Sequence, residues 1–205
     1  MITTLYYVHD PMCSWCWAFR PVWEQVRARL PQDLPVEYLL GGLAPDSAEP
    51  MAEEMRQGLQ QTWQKIQRVV PGTEFNFDFW TKNTPRRSTY PACRAVIAAK
   101  NQNPEYEKPM ILAIQQAYYL RAINPSDDEN LIELAQTLGL DGERFKTDLS
   151  SMETRRTLAE QIEKHHRLGA QGFPSLIVDK GSQAHYIASS YTDADATLRN
   201  ILHYL

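Results

Sequence analysis

Long apolar runs are missing from this sequence. No stretch reaches the roughly 18 consecutive apolar residues of a membrane-spanning helix, so no membrane partner is expected. Charge of one sign is missing too. Lys and Arg number 21 against 25 Asp and Glu, leaving a net charge of -4 over 205 residues. That balance is too weak to steer the chain toward nucleic acid. The one basic cluster, Arg86-Arg87 after Pro85, reads as a solvated loop. An early positive charge followed by an apolar run, the mark of a secretory leader, is also absent: the first basic residue is Arg20, and residues 1–10 already read as a strand. The expected location is the cytoplasm. Cysteine is scarce. Three cysteines cannot close a disulfide framework, so they serve chemistry or packing rather than stapling. No feature sets an oligomeric state.

What is present is a sequence that is 43% apolar, enough for a buried core. Thr4-Leu5-Tyr6-Tyr7-Val8-His9 is aromatic and β-branched and reads as a buried strand, stopped by Asp10-Pro11. From Ser14 to about Leu30 apolar residues recur at helical spacing (Trp15, Phe19, Val22, Trp23, Val26), and Pro21 inside this helix should kink it. A second strand spans 34–40 and closes on Gly41-Gly42. Then comes a long block without strands: helices at 51–70, 89–99, 106–122, 128–138, 143–149 and 152–168, with an aromatic loop of Phe75, Phe77, Phe79 and Trp80. Strands return at 175–178 and 184–188. A helix over 192–205, capped by Thr192 or Asp193, ends the chain. Strands at both ends require a sheet built from the two termini, with the helical block inserted into an α/β unit.

Met12-Cys13-Ser14-Trp15-Cys16 lies where the first strand hands over to the first helix. Unsatisfied amides and the partial positive charge of the helix start favour a thiolate there, so a cysteine at that point becomes nucleophilic. A second cysteine three residues on shares the helical face, its Cα about 5 Å away and within disulfide reach. One sulfur faces outward and the other sits a turn deeper, as mixed-disulfide formation and resolution require. Two rival readings stand beside this one: a pair of packing cysteines, or half a zinc site. Zinc would need ligands from Cys93, His165 or His166, with no second C-x-x-C and no suitably spaced histidine pair, so no metal is expected.

A redox motif after a strand, on a helix with Pro21 five residues past the second cysteine, resembles thioredoxin. So does Gly172-Phe173-Pro174-Ser175 just before the late strand. In the thioredoxin superfamily a proline here is cis and faces the cysteines, and the residue before it offers backbone hydrogen bonds to an extended substrate. The helical insertion resembles the DsbA-like branch. Within that branch the opening from Tyr6 to Cys16 is similar to bacterial cytosolic proteins described as protein-disulfide isomerases. The resemblance implies an α/β thioredoxin fold split by a large all-helical insertion, with 1–43 and 165–205 thioredoxin-like and 44–164 inserted. It implies Cys13 as attacking thiol, Cys16 as resolving thiol and Pro174 beside them, with Ser14, Trp15 and Phe173 contacting substrate. The implied partners are protein or peptide disulfides, with glutathione as a redox partner and no resident cofactor.

The dipeptide between the cysteines is Ser14-Trp15, where oxidising members carry Pro-His and isomerases Gly-His. Neither residue can become a cation, so strong oxidising behaviour is not implied, and a reductase or isomerase suits a reducing compartment better. Phe173 is bulkier than the usual Val or Thr and would narrow the groove or wall it. His9 could tune the thiolate as a cation or proton shuttle, though a solvent-facing or capping role fits it better. Trp15 should be exposed beside the sulfurs as a substrate contact. His165-His166 suits a helix C-terminus, and Cys93 reads as a small buried residue. The alternative class is a glutathione-dependent transferase or isomerase of the kappa-like branch, in which a serine usually replaces the first cysteine. A pure binding module is weaker still, because both cysteines are intact.

Overall fold

The computed structural model describes residues 3–205; Met1 and Ile2, which the sequence reading included in the strand over 1–10, lie outside the described residues. Four strands form one mixed sheet in the order β2-β1-β3-β4: β1 (Thr4–His9), β2 (Val36–Leu40), β3 (Ser175–Asp179) and β4 (Ala184–Ile187). β1 pairs parallel with β2 and antiparallel with β3, and β3 pairs antiparallel with β4. The two interior strands are therefore β1 and β3, so the first strand is joined to a partner from the far end of the chain. This is a thioredoxin fold of DsbA-like form.

Period-two alternation divides β1 between two faces. Leu5 and Tyr7 point into a core with Leu176, Val178 and Ile187, covered by α1 (Ser14–Arg27) and α9 (Ala194–His203). Tyr6 and Val8 point the other way, onto Leu39 and Ile177. α8 (Met152–Arg167) lies on that side, with Lys164 Nζ 4.4 Å above the Tyr6 ring and bonded to Glu37 at 2.9 Å. Asp193 caps α9 by accepting the Ala196 amide at 2.8 Å, fulfilling one of the two expected caps.

Between β2 and α8 run α2 (Glu53–Val69), α3 (Phe79–Lys82), α4 (Tyr90–Gln102), α5 (Glu107–Arg121), α6 (Asp128–Thr137) and α7 (Gly142–Ser150). Their core is aromatic: the Trp63 ring stacks on Phe75 at 4.8 Å and meets Phe79, Trp80, Tyr118 and Tyr119. The aromatic stretch expected to be a loop thus supplies a core and folds in part into α3. α1 belongs to both cores. Trp17 and Ala18, with Met12 from the turn before the helix, enter the inserted one, while Phe19, Val22, Trp23 and Val26 face the sheet. The sequence groups the second set with Trp15 as one helical face and leaves out Trp17 and Ala18, because an amphipathic reading assumes one buried side. Arg86 also departs from expectation. It is half-buried and donates to Ser126 O and to Asp127, fastening its loop rather than waving in solvent.

Candidate active site at the start of helix α1

β1 ends at His9 and the chain turns at Asp10-Pro11-Met12, where the Cys13 amide donates to Asp10 O at 3.0 Å. Cys13 is the N-cap of α1, with its carbonyl accepting the first helical bond from the Trp17 amide at 3.1 Å. Its side chain gives no capping bond, so the sulfur stands beside the amide-rich helix start. All three thiols are free. Cys13 Sγ lies 3.5 Å from the Phe173 carbonyl, which accepts from the thiol, and the Phe173–Pro174 peptide is cis. The structure therefore brings Cys13, Phe173 and Pro174 together across 160 residues of chain. Cys16, one turn inside, is fully buried, and burial first, then the adjacent Cys13, pushes its thiol well above the usual range.

Four sequence-identified residues sit differently from expectation. The Phe173 ring does not wall the groove: it packs inward against Gly41 and 5.5 Å from the His165 ring. A Cβ on Gly41 would lie 2.2 Å from that ring, so this position needs glycine, and only the Phe173 backbone faces the thiol. Trp15 is half-buried rather than exposed, held edge-on by Tyr191 at 5.0 Å. His9 is 1% exposed, neither solvent-facing nor a cap; its ring stacks on Tyr7 at 5.1 Å and neither ring nitrogen finds a partner among the described residues. Burial drives its pKa down to about 3, so His9 is neutral and supplies no cation to the thiols. Ser14 is half-buried in the first turn of α1. His165 is buried, its Nε2 3.1 Å from the Gly41 carbonyl, and burial lowers its pKa, so it too is no helix-end cation. Among the described residues no three His, Cys, Asp or Glu side chains form a metal-holding group.

The sequence reading missed Asp10. Its fully buried carboxylate accepts four bonds: from the Met12 amide at 2.8 Å, the Leu43 amide at 2.8 Å, Thr89 Oγ1 at 2.7 Å and Cys93 Sγ at 3.5 Å. These ties pin the motif turn to the exit of β2 and to α4. Burial raises the Asp10 pKa, and the four donors oppose that shift. The carboxylate also disfavours ionisation of both Cys16 and Cys93. The sequence holds one signal for it, an acid three residues before the first cysteine, but Asp-Pro reads locally as a strand stop. Tyr191 was missed as well; it closes over Trp15 and Phe19 from the loop before α9.

The sequence profile of the DSBA-like thioredoxin domain family matches residues 4–195. The chain belongs to this family, a family of thiol–disulfide oxidoreductases. A protein from Nitrosomonas europaea, provisionally named a protein disulfide isomerase, superposes on this DSBA-like chain with TM-score 0.86 and 29% identity, covering 100% of this chain and 98% of its own. The cytosolic disulfide reductase DsbM from Pseudomonas aeruginosa superposes with TM-score 0.78 at 24% identity, covering 98% and 97%, which shows the shared fold. Among curated sequences, the ClpXP adapter protein SpxH of Halalkalibacterium halodurans is 24% identical over 84% of this chain and 57% of its own length. The Bacillus subtilis SpxH is 26% identical over 75% and 50%. The chain thus spans about half the length of these curated relatives.

Proposed function

We propose that the chain is a cytoplasmic thiol–disulfide oxidoreductase that works as a reductase or isomerase of protein or peptide disulfides, with Cys13 attacking and Cys16 resolving. The observation that carries this reading is the Cys13 thiol at the helix start, 3.5 Å from the carbonyl that precedes Pro174, with Cys16 sealed beneath it. The Cys13 thiolate attacks a substrate disulfide, joins one sulfur and expels the other as thiolate. When Cys13 loses its proton the Phe173 carbonyl loses its donor and is free to accept a backbone N–H of an extended substrate beside the mixed disulfide. Ser14 and Trp15 border the same sulfur, Trp15 held in place by Tyr191. Cys16 then gives up its proton and attacks Cys13. The second substrate thiolate leaves, and Cys13 and Cys16 remain as a disulfide, two electrons poorer.

Two molecules of glutathione return those electrons and leave as the glutathione disulfide. DsbM, the fold relative named a cytosolic disulfide reductase, has also been solved with GSH, which supports glutathione as the redox partner here. No resident cofactor or metal enters the cycle. The absence of a cation supports the reducing direction: Ser14 and Trp15 carry none, and His9 is neutral. The kappa-like alternative needs no second thiol, whereas here a second thiol lies one turn below the first.

Trapping tests the assignment. Cys16→Ala should accumulate mixed disulfides with glutathione or a client protein, all at Cys13, and Cys13→Ala should accumulate few or none. Equal trapping by both variants would contradict the assigned roles. Turnover of a glutathione conjugate by the double variant, with no trapping, would establish the transferase alternative.

A further inference from the structure

The second half of α1 borders a cavity that the thiol chemistry does not use. It lies between α1, β2 and α5, at the seam of the two cores, and encloses about 560 Å3, within the range of small-molecule sites. Its walls are mostly apolar. Trp23 and Tyr38 supply the flat surfaces, and the Trp23 Nε1 donates to Tyr38 Oη at 2.8 Å. The Tyr38 hydroxyl proton has no acceptor among the described residues. At the floor, Gln115 is 2% exposed and makes no side-chain hydrogen bond among the described residues, its Oε1 buried without a partner. Buried polar groups left unpaired in this way call for an explanation.

Charge is the second feature. Arg27 Cζ lies 6.0 Å and Lys108 Nζ 5.9 Å from the Tyr38 ring centroid. Neither forms an ion pair among the described residues. The two acids near them are engaged elsewhere: Glu24 holds Arg20 at 2.7 Å, and Glu107 holds Lys100 at 2.7 Å. Lys108 also sits in the first turn of α5, where the helix dipole already places positive charge. Burial, then the Arg27 charge, lowers its pKa. The two cations share one aromatic ring and neither has a paired acid, so an anion placed between them would gain a charge contact with both.

We propose that this cavity binds a small aromatic carboxylate, its ring against Trp23 and Tyr38 and its carboxylate between Arg27 and Lys108. The site is independent of the redox reading, since none of its contacts involves a cysteine. Calorimetric titration with naphthalene-2-carboxylate and its uncharged analogue naphthalene-2-carboxamide tests it on the full chain. The carboxylate should bind at least about tenfold more tightly, the scale of one lost charge contact. Arg27→Gln with Lys108→Gln should abolish that preference while leaving carboxamide binding within about twofold. Leu112→Trp, which fills the cavity, should remove both. Alkylating Cys13 should change neither. Absence of saturable binding, equal affinity for the two compounds, a preference that survives the double substitution, or loss on alkylation would each overturn the proposal.

Discussion

Two of the three cysteines hold matching contacts in different places. Cys13 donates to the Phe173 carbonyl at 3.5 Å, and Cys93 donates to the Asp10 carboxylate at 3.5 Å. The first acceptor is a neutral backbone oxygen in the loop before β3, facing the helix start that carries Cys13. The second is a buried charge deep between β1 and α4. Burial first, then that charge, pushes the Cys93 thiol well above its usual range. The same side chain is therefore a reagent at one position and a fixed donor at the other. Surroundings, not residue type, decide which.

The largest effect should come at the reactive pole. Cys13→Ser should reduce disulfide exchange by about a thousandfold or more while leaving thermal stability nearly unchanged, because it removes the nucleophile and little packing. Exchange that persists through Cys93 or Cys16 in this variant, measured with a peptide disulfide, would break the contrast. At the fixed pole the damage should be to the fold. Asp10→Ala leaves two backbone amides, a hydroxyl and a thiol without their acceptor, and should cost about 3 kcal/mol or more in denaturant unfolding. Its exchange rate should fall as well, since the turn that sets Cys13 loses its anchor.

His9 extends the comparison to pH. Its folded pKa, about 3, lies below the ordinary value of 6.5, so the unfolded chain binds the proton more readily. Stability from this group is intact above about pH 6.5 and is lost as pH falls toward 3, by on the order of 4 kcal/mol. Asp10, raised by burial, acts with the opposite sign above its ordinary value, so the two must be separated by substitution. His9→Phe should flatten the acid-side loss in unfolding experiments between pH 6.5 and 4 and change little at pH 7.5. An unchanged acid limb would mean that His9 is not buried neutral. Smallest of all, Cys93→Ala should cost about 1 kcal/mol through a small cavity and a lost donor, with exchange within about twofold of the parent. A collapse of activity with the fold intact would make Cys93 a third redox centre.

The parts legible in the sequence were those written in local pattern. Alternation and helical spacing placed the strands of both termini and the helices between them, with ends shifted by a few residues, as α1 stopping at Arg27 rather than near Leu30 shows. The thiol motif was legible because its chemistry needs only a strand, a helix start and a three-residue spacing. The pairing of Cys13 with Phe173 came from resemblance, not from pattern. Asp10 was illegible because three of its four partners lie 33, 79 and 83 residues away, and nothing near it in the chain announces them. His9 was misread for a related reason. A histidine is intermediate in burial and its type alone does not place it; its position on an interior strand packs it against Tyr7 and Tyr38.

The central claim is that Cys13 and Cys16 form a reversible two-electron couple. It is tested most directly by equilibrating the protein against a series of reduced and oxidised glutathione mixtures, trapping the thiols with acid and alkylating agent, and reading the peptide that carries both cysteines by mass spectrometry. The account predicts a single reversible transition in which that peptide loses two hydrogens as the Cys13–Cys16 disulfide forms, with Cys93 alkylatable after unfolding at every point. A peptide that stays dithiol across the whole series, or a disulfide formed instead through Cys93, would contradict it.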